Sequence, residues 1–158
     1  MDRIFGRAWL LVGHESQVPK PGAFFTTRMG REPVIVTRHT DGSVRVLVNR
    51  CAHRGARVCQ AAAGTTREFV CAYHGWTYGT DGRLCGVPLP QGYERPAAES
   101  IGGGLAAVPR VDAYRGFVFA SLVAHGPTLV EFLGPLRASF DDLVERAPEG
   151  EVEVAGGV

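Results

Sequence analysis

The sequence predicts a mainly β fold that closes in a helical segment, and three observations carry that reading. Short runs rich in β-branched and aromatic residues alternate with Gly, Pro and Asp-Gly turn signals over most of the 158 residues. Two short loops, 51–59 and 71–79, repeat one pattern of Cys, His and Gly. A sustained helical spacing of apolar residues falls across 128–147. A chain of this length reads as one domain, 1–158, with a core over about 33–122.

The chain starts with the apolar run Trp9-Leu10-Leu11-Val12, followed by His14-Glu15-Ser16 and the turn cluster Pro19-Lys20-Pro21-Gly22. Residues 23–28, 33–38 and 44–48 read as strands. The last two are joined through Thr40-Asp41-Gly42, and Asp-Gly between apolar runs signals a hairpin. That hairpin delivers the chain into Cys51. Residues 60–64 are small and read as a flexible connection, and 67–70 as a short strand leading to Cys71. Trp76-Thr77-Tyr78 alternates as a strand does, and Thr80-Asp81-Gly82 turns it before Arg83-Leu84-Cys85. Pro88 to Gly92 and Gly102-Gly103-Gly104 mark turns, and 105–108 and 115–122 read as returning strands. Thr128-Leu129-Val130-Glu131 is a capping box. Leu129, Phe132, Leu133, Leu136, Phe140, Leu143 and Val144 follow it at helical spacing, with Pro135 either kinking one helix or opening a second. The tail Glu151-Val152-Glu153-Val154 alternates like a strand.

Bulk properties exclude some functions. Net charge is +1 with basic and acidic residues interspersed, so nucleic acid is not an expected partner. No stretch of about 18 apolar residues could span a membrane. The start, Met1-Asp2-Arg3-Ile4-Phe5, lacks the order of a secretory signal, so a cytoplasmic location is expected.

The chemistry sits in the two loops. One reads C-A-H-R-G-A-R-V-C from Cys51, the other C-A-Y-H-G-W from Cys71, with seventeen residues between His53 and Cys71. A gap of one or two residues lets a thiol and an imidazole from one turn converge on a centre, and Gly55 and Gly75 permit the tight wrapping. Two metals compete for Cys51, His53, Cys71 and His74. A structural zinc takes Cys₂His₂ tetrahedrally, ordinarily from a cysteine pair and a histidine pair. One Cys mixed with one His in each loop suits instead a [2Fe–2S] centre, with two cysteines on one iron and two histidines on the other.

Ligation requires thiolates and neutral imidazoles. The outer imidazole nitrogens stay free, so the reduction potential is expected to fall as pH rises past the histidine pKa of the oxidised centre. Trp76 reads as an apolar wall beside the site. His14, His39 and His125 stand alone and read as packing or surface residues; Cys59 and Cys85 read as small buried apolar side chains.

The match C-x-H-x₁₇-C-x₂-H resembles Rieske proteins. Within them, C-x-H-R-G-x-x-V-C and C-x-Y-H-G-W-x-Y-x-x-D-G-x-L resemble the large (alpha) subunit of bacterial aromatic-ring-hydroxylating dioxygenases, nearest the benzoate-type group. Gly13-His14-Glu15-Ser16, Val34-Ile35-Val36 and Tyr114 to Leu122 add weaker support. The resemblance implies a Rieske-type antiparallel β-sandwich in which Cys51, His53, Cys71 and His74 hold the cluster. It also implies electron transfer from a reductase or ferredoxin to a mononuclear non-haem iron, where O₂ meets an aromatic ring. That iron needs two histidines and a carboxylate on one face. After His74 the one histidine is His125, with no Asp or Glu at matching spacing. The hydroxylating site is therefore expected to lie outside the chain, which alone would be an incomplete oxidoreductase component.

The family further implies a threefold assembly in which one subunit's cluster faces the catalytic iron of the next. Respiratory Rieske proteins resemble C-T-H-L-G-C with C-P-C-H-G-S, whereas Ala56, Tyr73 and Trp76 stand at those positions here. No disulfide is expected between the loops, and the potential is expected at the low end of about −150 to +300 mV. A free-standing Rieske ferredoxin and a zinc-binding module are the alternative readings.

Overall fold

The structure, a computed structural model, describes residues 5–92, 103–147, 149 and 151–155. Three antiparallel sheets are built from ten strands among these residues. The first sheet orders β1 (Leu10–His14), β10 (Phe117–Ser121) and β9 (Arg110–Tyr114). The second orders β4 (Val44–Val48), β3 (Glu32–Arg38), β2 (Ala23–Met29) and β5 (Ala63–Thr65). The third orders β6 (Glu68–Val70), β7 (Thr77–Gly79) and β8 (Leu84–Gly86).

The second sheet is buried on both faces, which explains the uninterrupted Val34-Ile35-Val36 run in β3. Successive strand residues point to opposite sides. Val34 and Val36, with Phe25 and Val46, pack against Val12, Val118 and Ala120 of the first sheet. Ile35, with Phe24 and Leu47, packs the other way, against Cys51, Cys71, Trp76 and Tyr78. The floor of the two loops is thus the back of the sandwich core. Truncating Ile35 to Ala opens a cavity between both layers, a class of change that costs about 2–5 kcal/mol.

The Thr40-Asp41-Gly42 hairpin forms as expected between β3 and β4, with Gly42 at φ 84° and Asp41 accepting from the Ser43 N–H at 2.8 Å. Elsewhere the structure corrects the sequence reading. Ala63 and Gly64, expected to belong to a flexible connection over 60–64, form with Thr65 an edge strand paired to β2. Their exposed Ala-Gly-Thr carries no apolar alternation, and backbone pairing alone defines the strand. Residues 105–108 make only an isolated bridge, Leu47 to Ala107, while Leu105 and Val108 fill the cores. The return strands are β9 and β10, joined by Arg115-Gly116 at φ 53° and 84°, the geometry of a two-residue hairpin turn. Arginine rarely adopts that conformation. Ion pairs to Asp141 (3.2 Å) and Glu145 (3.3 Å) hold Arg115 there.

The capping box forms: Thr128 N–H donates to Glu131 Oε2 (2.8 Å), and Glu131 N–H donates to Thr128 Oγ1 (3.3 Å). It opens α1 (Leu129–Leu133), which ends at Gly134. A 3₁₀ turn carries Pro135 into α2 (Arg137–Glu145), so the proline opens a second helix. Leu129, Leu133 and Val144 are buried, and Phe140 packs on Phe117 and Phe119 of the first sheet. Phe132, Leu136 and Leu143, which continue the helical spacing in the sequence, are exposed; Gly134 ends α1, so Leu136 and Leu143 do not continue its register. Residues 151–155 form no strand, although Val154 N–H donates to Ser16 Oγ at 3.1 Å. Of the Gly102 to Gly104 turn, Gly102 lies outside the described residues. No helix among the described residues is long and apolar enough to cross a membrane.

Candidate metal centre

The two loops share one backbone frame. In the first, Cys51 N–H donates to Ala56 O and Gly55 N–H to Cys51 O; in the second, Cys71 N–H donates to Trp76 O and Gly75 N–H to Cys71 O, all at 2.8 Å. Gly55 and Gly75 sit at φ 71° and 70°, a left-handed conformation that glycine adopts without strain. One residue breaks the equivalence. The histidine follows its cysteine by two positions in the first loop and by three in the second.

The donors are sorted by depth. Cys51 (4% exposed) and Cys71 (1%) lie inside the core formed with Ile35 and Leu47. His53 and His74 are partly exposed, with ring centroids 4.7 Å apart. Trp76 is the expected wall: fully buried, its ring lies parallel to that of His53 at 4.9 Å. Tyr73 covers His74 in the same way at 3.9 Å, but from the solvent side.

The donor set fits a two-iron cluster. His53 Nδ1 is buried without a hydrogen-bond partner, an arrangement that costs about 1–3 kcal/mol unless another atom occupies the nitrogen's lone pair. Burial holds the His53 pKa below the ordinary imidazole value, and the neighbouring charges of His74 and Arg54 lower it further. The ring is therefore neutral, as a metal ligand must be. Among the described residues, no three Cys, His, Asp or Glu side chains converge on a point where one ion could sit. The split into a buried thiol pair and an outer imidazole pair matches a [2Fe–2S] centre with two cysteines on one iron and two histidines on the other.

Two residues at the site escaped the sequence reading. Tyr78, fully buried, places its hydroxyl 3.0 Å from Cys51 Sγ while accepting from Ala52 N–H at 3.2 Å. When Cys51 is a thiolate, as a metal ligand must be, it has no proton to give, and the phenolic hydroxyl is the donor of the pair. Burial, and then the bond to Cys51, push the Tyr78 pKa up, so it remains a donor. The available signal was the step of two from Trp76, which puts both rings on one face of the chain as it enters β7. Asn49 is the other. Its Oδ1 accepts from Val58 N–H (3.0 Å) and Cys59 N–H (2.9 Å), and its Nδ2 donates to Cys59 O (2.7 Å). This buried carboxamide ties the far end of the first loop to β4. A polar residue closing the buried strand 44–48 was its signal.

The remaining candidates lie elsewhere. All four cysteines are free thiols. Cys59 is buried as expected, and burial raises its pKa. Cys85, expected to be buried too, is exposed, because β8 is the outer strand of the third sheet. His14 Nδ1 accepts from Ser16 N–H at 3.2 Å, His39 Nδ1 lies 2.7 Å from Thr80 Oγ1, and His125 is exposed.

Residues 8–109 match the Rieske [2Fe–2S] domain. The chain belongs to the Rieske [2Fe–2S] domain family. Similar proteins include the biphenyl 2,3-dioxygenase alpha subunit of Rhodococcus jostii (strain RHA1), 42% identical over 99% of this chain and 34% of its own. The N,N-dimethyl phenylurea N-demethylase alpha subunit of Sphingobium sp. (strain YBL2) is 43% identical over 95% of this chain and 33% of its own. Among solved structures, naphthalene 1,2-dioxygenase with indole bound superposes at a TM-score of 0.89 with 35% identity, over 98% of this chain and 34% of that one. This Rieske domain therefore spans about a third of the length of the relatives it matches. The antiparallel β architecture expected from the sequence is the Rieske fold.

Proposed function

We propose that this chain is the electron-carrying unit of an aromatic-ring-hydroxylating oxygenase, with Cys51 and Cys71 holding one iron of its [2Fe–2S] cluster and His53 and His74 the other. The sorting of the donors by depth carries this reading: two thiols in the core, two imidazoles 4.7 Å apart at its edge. When bound, the cluster supplies a one-electron store.

The protein does the rest. Cys51 and Cys71 are sealed from water by Trp76, Leu47 and Ile35, and His53 Nδ1 is the atom directed to the metal. The parallel ring of Trp76 fixes the plane of His53. Tyr78 stabilises negative charge on the Cys51 sulfur by donating its proton to it. His74 and Tyr73 form the edge at which a partner approaches. Fixed ligands in loops held between paired strands keep the geometric cost of a redox change small.

Electrons enter from a reductase or ferredoxin and leave to a mononuclear iron in a catalytic domain of the same or a neighbouring subunit, in a trimeric cytoplasmic assembly. Similarity is nearly equal to a ring dioxygenase and to an N-demethylase, which supports placing the choice of substrate in the part of those proteins outside this chain.

The test is the visible absorption and low-temperature EPR of protein purified without oxygen, before and after dithionite, with iron and acid-labile sulfide content. A brown protein with two irons and two sulfides per chain, and a rhombic signal on reduction, is expected. A colourless protein holding one zinc would overturn the reading.

A further inference from the structure

Where the first loop returns to the sandwich, it leaves a cavity that the proposed ligands do not touch. Thr26 and Arg28 alternate along β2 with Phe25 and Met29, which pack into the sandwich core. They therefore share with Phe24 the face of β2 turned to the loops. Beside the end of the first loop a cavity of about 160 Å³ opens on this face, lined by residues 26–28, Pro33, Asn49 and Arg57. Arg28 comes from the sheet and Arg57 from the loop.

The cavity is charged with one sign. Neither arginine makes an ion pair among the described residues, and no carboxylate lines the space. Glu32, next to Pro33, is engaged by Arg50 at 2.7 Å. Arg28 donates from one terminal nitrogen to Arg31 O at 3.2 Å, which leaves most of its fork unused. Arg57 makes no hydrogen bond among the described residues. A guanidinium is not deprotonated in proteins, so two of them around one small space repel each other at every working pH.

A buried amide adds a donor. Asn49 is 2% exposed, and its Oδ1 is identified by the two N–H groups it accepts, from Val58 at 3.0 Å and Cys59 at 2.9 Å. Its Nδ2 donates to Cys59 O at 2.7 Å. A carboxamide nitrogen carries two hydrogens, so one is left without an acceptor among the described residues, on a side chain that lines the cavity. Thr26 Oγ1 spends its proton on Ala61 O at 3.1 Å and adds no further donor.

We infer that Arg28, Arg57 and Asn49 form a binding site for a small tetrahedral oxyanion of the phosphate class, which bridges the end of the first loop to β2. A volume of about 160 Å³ equals roughly five waters at about 30 Å³ each, and lies below the range of about 300–1,000 Å³ in which drug-sized ligands bind. Each guanidinium presents paired N–H groups to two oxygens, so two forks and one amide suit an anion with four oxygens better than one with two. The bound anion offsets the repulsion between the arginines and ties loop to sheet. Protein groups alone make the site, so the inference stands apart from the proposed function.

The experiment is isothermal titration calorimetry of the purified chain with sodium phosphate at about neutral pH, sodium chloride holding the ionic strength constant, with thermal melts in the same solutions. Phosphate should bind saturably, one per chain, and raise the melting temperature above that in chloride. Arg28 and Arg57 are exposed, so substituting them leaves the core intact. Arg28→Gln and Arg57→Gln should each weaken binding by at least about tenfold, and the pair should abolish it. Arg45→Gln, whose guanidinium is already paired with Asp41 at 3.0 Å, should leave it within about twofold. Acetate should bind at least about fivefold more weakly than phosphate.

Heats of dilution alone, with melting no different from that in chloride, overturn the inference, and that result needs no variant. Binding that survives the double substitution, or acetate binding as tightly as phosphate, overturns it equally. The visible spectrum of the same samples tests the proposed function separately: a colourless chain that binds phosphate through the two arginines sinks that reading and upholds this one.

Discussion

Replacing Tyr78 with Phe removes one hydroxyl from a fully buried ring and leaves the packing of β7 unchanged. The hydroxyl lies 3.0 Å from Cys51 Sγ and donates to it when Cys51 is a thiolate. A hydrogen bond to a charged acceptor contributes about 1.5–3 kcal/mol, and the reduced state, carrying one more negative charge, holds it more strongly. Only the difference between oxidation states moves the potential. If about a third of the bond is that difference, it amounts to about 0.5–1 kcal/mol, or roughly 20–45 mV for a one-electron couple, because 59 mV and 1.36 kcal/mol each correspond to tenfold. The sign follows directly: losing the donor disfavours reduction, so Tyr78→Phe should lower the midpoint. Mediated redox titration of both proteins, followed in the visible, measures the shift. A potential that rises, or stays within about 10 mV of the parent, would refute the assignment of the phenolic proton to the sulfur. The variant should also lose about 1–3 kcal/mol of stability, since Ala52 N–H keeps no acceptor.

Other outcomes follow from the same geometry. Cys51→Ala or His74→Ala should bring iron and sulfide to background in a protein that still shows β circular dichroism, whereas Cys59→Ala and Cys85→Ala should leave the visible spectrum unchanged. Asn49→Leu strands two N–H groups and one carbonyl at the end of the first loop, and chemical denaturation should register a loss of about 3 kcal/mol or more. Asp41, bonded first to the Ser43 hydroxyl and then to its N–H, has its pKa lowered to about 2. A depressed folded-state pKa gives stability that is full above the unfolded value and disappears as pH falls through the folded one. Asp41→Asn should therefore be less stable than the parent at pH 7, with the gap closing between about pH 4 and pH 2 in thermal melts.

Much of the fold could be read from local chemistry. The hairpin at Asp41-Gly42 and the capping box at Thr128 and Glu131 each rest on contacts within a few residues, and both formed where expected. What was missed depends on distant partners. Nothing near Ala63-Gly64-Thr65 announces that β2 needs an edge neighbour, and nothing near Arg115 announces that Asp141 and Glu145, some thirty residues on, will hold it in a left-handed turn. The helical spacing across 128–147 does not show that Gly134 ends one helix and resets the register of the next, a change that periodicity averages away. At the site, Cys51, His53, Cys71 and His74 stand out by spacing, and the structure gathers them in two loops of one backbone form. Tyr78 and Asn49 do not stand out, because a buried tyrosine on a strand and an asparagine at its end are ordinary residues until their hydrogen bonds are seen.

The burial of the second sheet on both faces bears on how the protein matures. Its strands bring Cys51 and His53 already positioned, while Cys71 and His74 arrive on a sheet whose three strands have three residues each. So small a sheet cannot stand alone in water. It is held by Phe69, Trp76 and Tyr78 against Ile35 and Leu47, and, with the proposed ligand set, by the cluster acting as a clasp between the two loops. The expected order of assembly is that the sandwich folds first, the small sheet closes over it, and metal loading locks the two loops together. In the metal-free chain, amide exchange should accelerate across 68–86 while the amides of β2 and β3 remain protected.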